Sequence, residues 1–172
     1  YTNISVQIVE GYDYNLRWTR AFGDVDVLVD WSVTQYLAQP TAIFATNPLV
    51  DLNGTLNTPE YTSTLDTTLT WGNWRARYGV EWISSMSSYG LFGLTPTTTN
   101  CVLDVPDYYL HKASVQYRAD NWSATMGAKN MLDEEPPMIS AACGYNKIGN
   151  APLYSGYDYV GRQLFLNVSK TF

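Results

Sequence analysis

Apolar and polar residues alternate along most of this chain, and a period of two marks strands whose two faces meet different surroundings. The clearest run is 74–82, where Trp74, Ala76, Tyr78, Val80 and Trp82 share one parity and Arg75, Arg77, Gly79 and Glu81 the other. Ahead of it Leu65, Thr67, Leu69 and Trp71 alternate with Asp66, Thr68 and Thr70, and Gly72-Asn73 between the runs predicts a tight hairpin. Val25, Val27, Val29, Trp31 and Val33 oppose Asp26, Asp30, Ser32 and Thr34, with Leu28 the apolar exception. Upstream, Tyr12, Tyr14, Leu16 and Trp18 alternate with Asp13, Asn15, Arg17 and Thr19, and a turn falls near Gly23. Tyr109, Ala113, Val115 and Tyr117 oppose Lys112, Ser114, Gln116 and Arg118, and residues 119–121 turn into Trp122, Ala124, Met126 and Ala128. A last strand over 161–172 puts Leu164, Leu166, Val168 and Phe172 on one face, with Phe165 the apolar exception on the other.

Seven strands follow, joined alternately by tight turns and by long segments, roughly 37–61, 86–107 and 132–160. Loops of that length are uncommon in a compact domain unless they carry function. Short turns at one end and long loops at the other are the layout of an outer-membrane barrel. Trp18, Phe22, Trp71, Trp74, Tyr117, Trp122 and Phe172 gather near the turn end, and Trp31, Tyr36 and Trp82 towards the loop end. Two aromatic belts around small and aliphatic residues suit a lipid-facing wall. The fold class expected is therefore all-β, a transmembrane antiparallel barrel. A secreted β-sandwich binding module alternates in the same way. A small closed barrel with an eighth strand within 1–9, acting as anchor or adhesin, is a further alternative.

Composition sharpens this picture. Charged residues make up only 15% of the chain, the same rounded share as aromatic ones, where a soluble domain carries about a quarter. The net charge of −6 leaves no basic patch for nucleic acid. No run of about eighteen apolar residues offers a membrane helix, and no basic-then-apolar leader stands at Tyr1. Cys101 and Cys143 lie far apart in loop-like segments, without metal-ligand spacing, and suit a loop-to-loop disulfide in an oxidising compartment. The single histidine, His111, sits at an apolar-parity position and reads as interfacial rather than as a base or ligand. With no Ser/His/carboxylate set the chain is not expected to be an enzyme, and no cofactor is expected. Tyr89, Phe92, Tyr145 and Tyr154 in the long loops are candidate aromatics for stacking on a solute.

If the tight turns face the periplasm, a strand ending at Phe172 descends to that side, and the first of seven must descend too. That leaves Tyr1 at the loop side, so residues 1–172 are expected to be the C-terminal portion of a larger barrel domain.

Two stretches resemble a known family. "GAKNMLDEEPPM", residues 127–138, is similar to the penultimate-strand signature of TonB-dependent outer-membrane receptors, and "YSGYDYVGRQLFLNVSKTF", residues 154–172, to their terminal segment. "EGYDYNLRW" at 10–18 is similar to strand openings further upstream in that family. The resemblance implies about seven C-terminal strands of a barrel of about 22. It also implies an N-terminal plug outside this segment and active import of a scarce solute: a siderophore, cobalamin, haem or an oligosaccharide. Its implied partners are outer-membrane lipid, the plug and remaining strands, an inner-membrane energy-coupling complex acting through the plug, and the outer-membrane assembly machinery. Its implied location is the bacterial outer membrane. In the family's likeness, Leu164, Leu166, Val168 and the terminal Phe172 form the assembly signal. Lys170 departs from the outward apolar register, and near the interface a lysine snorkels.

Overall fold

The computed structural model describes residues 6–44, 46–140, 147–154 and 156–171. The alternating runs form seven long strands: β1 (Glu10–Phe22), β2 (Val25–Ala38), β3 (Tyr61–Trp71), β4 (Trp74–Ile83), β5 (Tyr108–Arg118), β6 (Trp122–Lys129) and β7 (Gln163–Lys170). They lie in one antiparallel sheet in chain order, each strand beside its sequence neighbours. The sheet is open: β1 and β7 are its two edges, and every residue of both is exposed. The architecture is thus all-β and built on one large antiparallel sheet.

The tight turns fall where the alternation breaks. Gly23 and Gly72 each take a left-handed φ, 61° and 51°, that a side chain would oppose. Each is followed by one more turn residue, Asp24 or Asn73, and then by a strand whose first residue pairs back, Val25 with Phe22 and Trp74 with Trp71. The third turn closes with the Ala119 N–H donating to the Trp122 carbonyl at 2.8 Å. Two-residue turns fix register, and register fixes which face each side chain meets.

That register gathers the apolar parity onto one face. Across it run Leu16, Trp31, Leu65, Val80 and His111, each paired with the next. Nearer the turns, Ala76 pairs with Leu69 and Val115, Val115 with Met126, and Met126 with Leu166. Much of this face is bare, with Leu164 80%, Leu166 72%, and Val168 and Met126 each 64% exposed. No opposing sheet covers either face among the described residues. Tyr36 leaves the loop-end belt, because it shares the parity of Thr34 and pairs with Gly11 on the polar face; the bulge between Glu10 and Gly11 lies just beyond it, at Leu37. Tyr14, Tyr61 and Tyr109 join Trp31 and Trp82 there instead, with Tyr61 stacked on Trp82 at 6.2 Å.

The buried core lies where the alternation gives no sign of it. Leu56, Met86, Val105, Ile139 and Tyr157, from the three long loops, pack on Ile83 and Tyr108 at the loop ends of β4 and β5. Ile83 and Tyr108 share the polar-face parity, so the loops fold over that face as a cap. Main-chain bonds stitch the cap together: Ser87 N to Gly54 O at 2.9 Å, and Ser140 N to Val102 O at 3.0 Å.

Candidate functional site

Three arrangements carry the polar chemistry of the chain. The first is a row of charges on the polar face. Asp66 of β3 accepts from Arg77 of β4 through both carboxylate oxygens, at 3.2 and 2.8 Å, and lies 3.8 Å from Lys112 of β5. Lys112 donates to Glu81 at 2.8 Å, and Arg17 stands 3.6 Å from Asp30. Gly79 opens the room for this meeting: a Cβ there would stand 2.5 Å from the Asp66 carboxylate and 2.4 Å from Lys112 Cε. The pairs are partly exposed, so each contributes little to stability on its own. They neutralise the middle of the polar face. Towards the turns the same face forms a concavity of about 750 Å³, in which Asp26 and Arg75 join the row.

The second is a clasp between the two motif stretches. Asn130, just after β6, is buried at 3% exposure and holds a left-handed φ of 46°. Its amide donates to the Glu134 carbonyl and to Asp158 Oδ2, both at 2.9 Å, and its oxygen accepts the Glu134 N–H at 2.8 Å. Asp133 accepts the Arg162 main-chain N–H at 2.8 Å and faces its guanidinium at 3.4 Å. The Asn and Asp of "KNMLD" are therefore bonded to the Asp and Arg of "YDYVGR", and the 33-residue connection 130–162 is closed at its base. The sequence marks these residues by motif alone, with no sign of their pairing.

The third is the loop cap. Segments 39–60, 84–107 and 130–162 hold Asp51, Glu60, Asp104, Asp107, Asp133, Glu134, Glu135 and Asp158 against Lys147 and Arg162. Eight acids and eight bases remain elsewhere, so the entire net charge of −6 resides in the loops. Glu60 and Asp104 line a concavity of about 500 Å³ there and have no ion-pair partner among the described residues. Asp51 accepts the N–H groups of Gln39 at 2.8 Å and Asn53 at 3.0 Å, and these bonds hold its carboxyl below the usual carboxylate range. A depressed folded value adds stability above the unfolded value of about 4, and this is lost as pH falls through the folded one. The Gln39 amide should accordingly lose hydrogen-exchange protection below about pH 4. Protection unchanged to pH 2, or an equal loss in Asp51→Asn, would contradict this.

The candidate solute aromatics part company. Tyr89 is buried and its hydroxyl donates to the Cys101 carbonyl at 2.7 Å, so it braces the cap. Tyr154 packs edge-on against Tyr157 at 5.3 Å beside the loop core, and burial raises its hydroxyl pKa above the ordinary tyrosine value. Phe92 is 51% exposed. Tyr145 lies outside the described residues, as do Cys143 and Phe172. Cys101 is disulfide-bonded. Leu164, Leu166 and Val168 line the bare edge of the apolar face. His111 Nδ1 meets the Tyr78 hydroxyl at 2.7 Å on that face. No group of three His, Cys, Asp or Glu among the described residues is placed to hold a metal ion.

Comparison with protein-family models, with curated proteins and with solved structures found no match. The reading of function accordingly rests on the chain's own geometry and on its two motif stretches.

Proposed function

We propose that this chain is a section of the transmembrane wall of a TonB-dependent outer-membrane receptor, a barrel of about 22 strands that imports a scarce solute. The observation that carries the membrane half of this reading is the apolar face. It runs unbroken across all seven strands and is edged by aromatic residues at both ends. From Trp74 to Trp82 is eight residues, about 26 Å along the strand and about 20 Å at a tilt of about 40°. That height is comparable to the apolar band of such a wall. An exposed apolar face this large, with no layer packed on it, would drive a soluble protein to aggregate.

The receptor half rests on the motif resemblance, and the clasp supports it by giving those residues a joint task at the base of one loop. On this reading the polar face looks into the lumen, towards a plug, and the anionic cap stands at the cell surface over the route of a siderophore, cobalamin, haem or oligosaccharide. Energy enters from an inner-membrane complex through the plug. The remaining strands complete the two open edges, and the assembly machinery inserts the wall beside outer-membrane lipid. No bond is made or broken in the solute.

The full-length protein, expressed in a Gram-negative host, should fractionate with the outer membrane and take up its solute only while the energy-coupling complex is intact. A folded protein that stays monomeric in buffer without detergent would overturn the membrane reading. Membrane insertion with uptake indifferent to energy coupling would overturn the receptor reading alone.

A further inference from the structure

On the polar face, Lys112 of β5 and Lys129 of β6 stand one step beyond the paired residues Ala113 and Ala128. Like charges at neighbouring cross-strand positions destabilise a sheet unless something answers them. Lys112 is answered by Glu81 and Asp66, but Lys129 has no hydrogen-bond or ion-pair partner among the described residues. Both lysines line a concavity of about 180 Å³ together with Arg77, Ser114 and Phe165. Phe165, the apolar exception of the last strand, closes one side by lying over Gly127, where a Cβ would stand 2.6 Å from its ring. No carboxylate lines the concavity. Arg77 commits only Nε and Nη2 to Asp66, and Lys112 has ammonium hydrogens to spare.

We infer that this concavity between β4, β5, β6 and β7 is a binding site for a small oxyanion, a phosphate or a carboxylate. The cations supply charge-assisted donors, the Ser114 hydroxyl a further one, and the Phe165 ring a wall that keeps water from one side. The size suits one tetrahedral or planar anion rather than a bulky chelate. The inference rests on the face of the sheet itself and stands whether or not the sheet crosses a membrane.

Calorimetric titration of the full-length protein with inorganic phosphate, and separately with acetate, tests the site and tells the two chemistries apart. Saturable binding of either that weakens with added salt is expected. Lys129→Gln should weaken it about tenfold while Lys129→Arg retains it. Lys129→Glu, which places a carboxylate beside Lys112, should abolish binding and raise the melting temperature, a gain that mere loss of a structural lysine would not give. Absence of saturable binding of both anions, or an affinity unchanged in Lys129→Gln, would overturn the site.

Discussion

Asn130→Ala should cost about 4 kcal/mol of unfolding free energy and release the connection between the last two strands. Three hydrogen bonds are lost, one of them to the Asp158 carboxylate, and bonds to charged groups are worth about twice the neutral ones. The Glu134 N–H loses its partner at a part-buried bond, while its carbonyl keeps only the longer bond from the Tyr108 hydroxyl at 3.4 Å. Alanine must also hold the left-handed φ of 46°, at a further ~1 kcal/mol. Asn130→Gly separates these contributions, since it loses the same bonds without the backbone cost, and should be milder by about 1 kcal/mol. Denaturant midpoints of the three proteins, with amide exchange at Glu134 and Arg162, provide the measurement. An Asn130→Ala protein as stable as the parent would show that the clasp is incidental. Asp133→Ala should do less, because its pair with Arg162 is half exposed on both sides.

Gly127→Val should damage the sheet itself. A Cβ at 127 would stand 2.5 Å from the Ala113 carbonyl oxygen, 2.6 Å from the Phe165 ring and 2.8 Å from Ser114 Cβ. The carbonyl belongs to the neighbouring strand's main chain, so relief means prising β6 from β5. A cost of about 3 kcal/mol is expected. Adding Phe165→Ala should return only part of it, because the ring can be removed and the carbonyl cannot. Equilibrium unfolding followed by the fluorescence of the six tryptophans reads both variants. Full rescue by Phe165→Ala would place the clash in the side chain alone.

The sheet was legible because its rule is local. Parity placed the faces from Tyr12 to Val168, and the exceptions Leu28 and Phe165 stayed on the polar side as parity required. Gly127 explains how Phe165 is accommodated there, a matter of contact between strands that no single run reveals. The loop core was not legible, since Leu56, Met86, Ile139 and Tyr157 come from three irregular segments with no shared period. For the same reason alternation gives no sign that Tyr89 and Tyr154, candidate aromatics for a solute, also pack against or brace the cap. Tyr36 belongs to the polar face by the same parity as Thr34, and the bulge that alternation hides comes one residue later, where Glu10 pairs with Ala38. Asn130 and Asp133 were marked by motif, and only folding brought Asp158 and Arg162 to them.

A meander without crossovers has a topological consequence of its own. Each of the seven long strands bonds only to its neighbours in the chain, so one hairpin is a complete unit of the sheet. Inserting or removing a pair of strands leaves parity, register and the sidedness of turns and loops as they were, and changes only the width of the sheet. A single strand gained or lost would instead carry every later turn to the opposite end of the strands. Such a sheet can therefore change its width in steps of two while every remaining residue keeps its address.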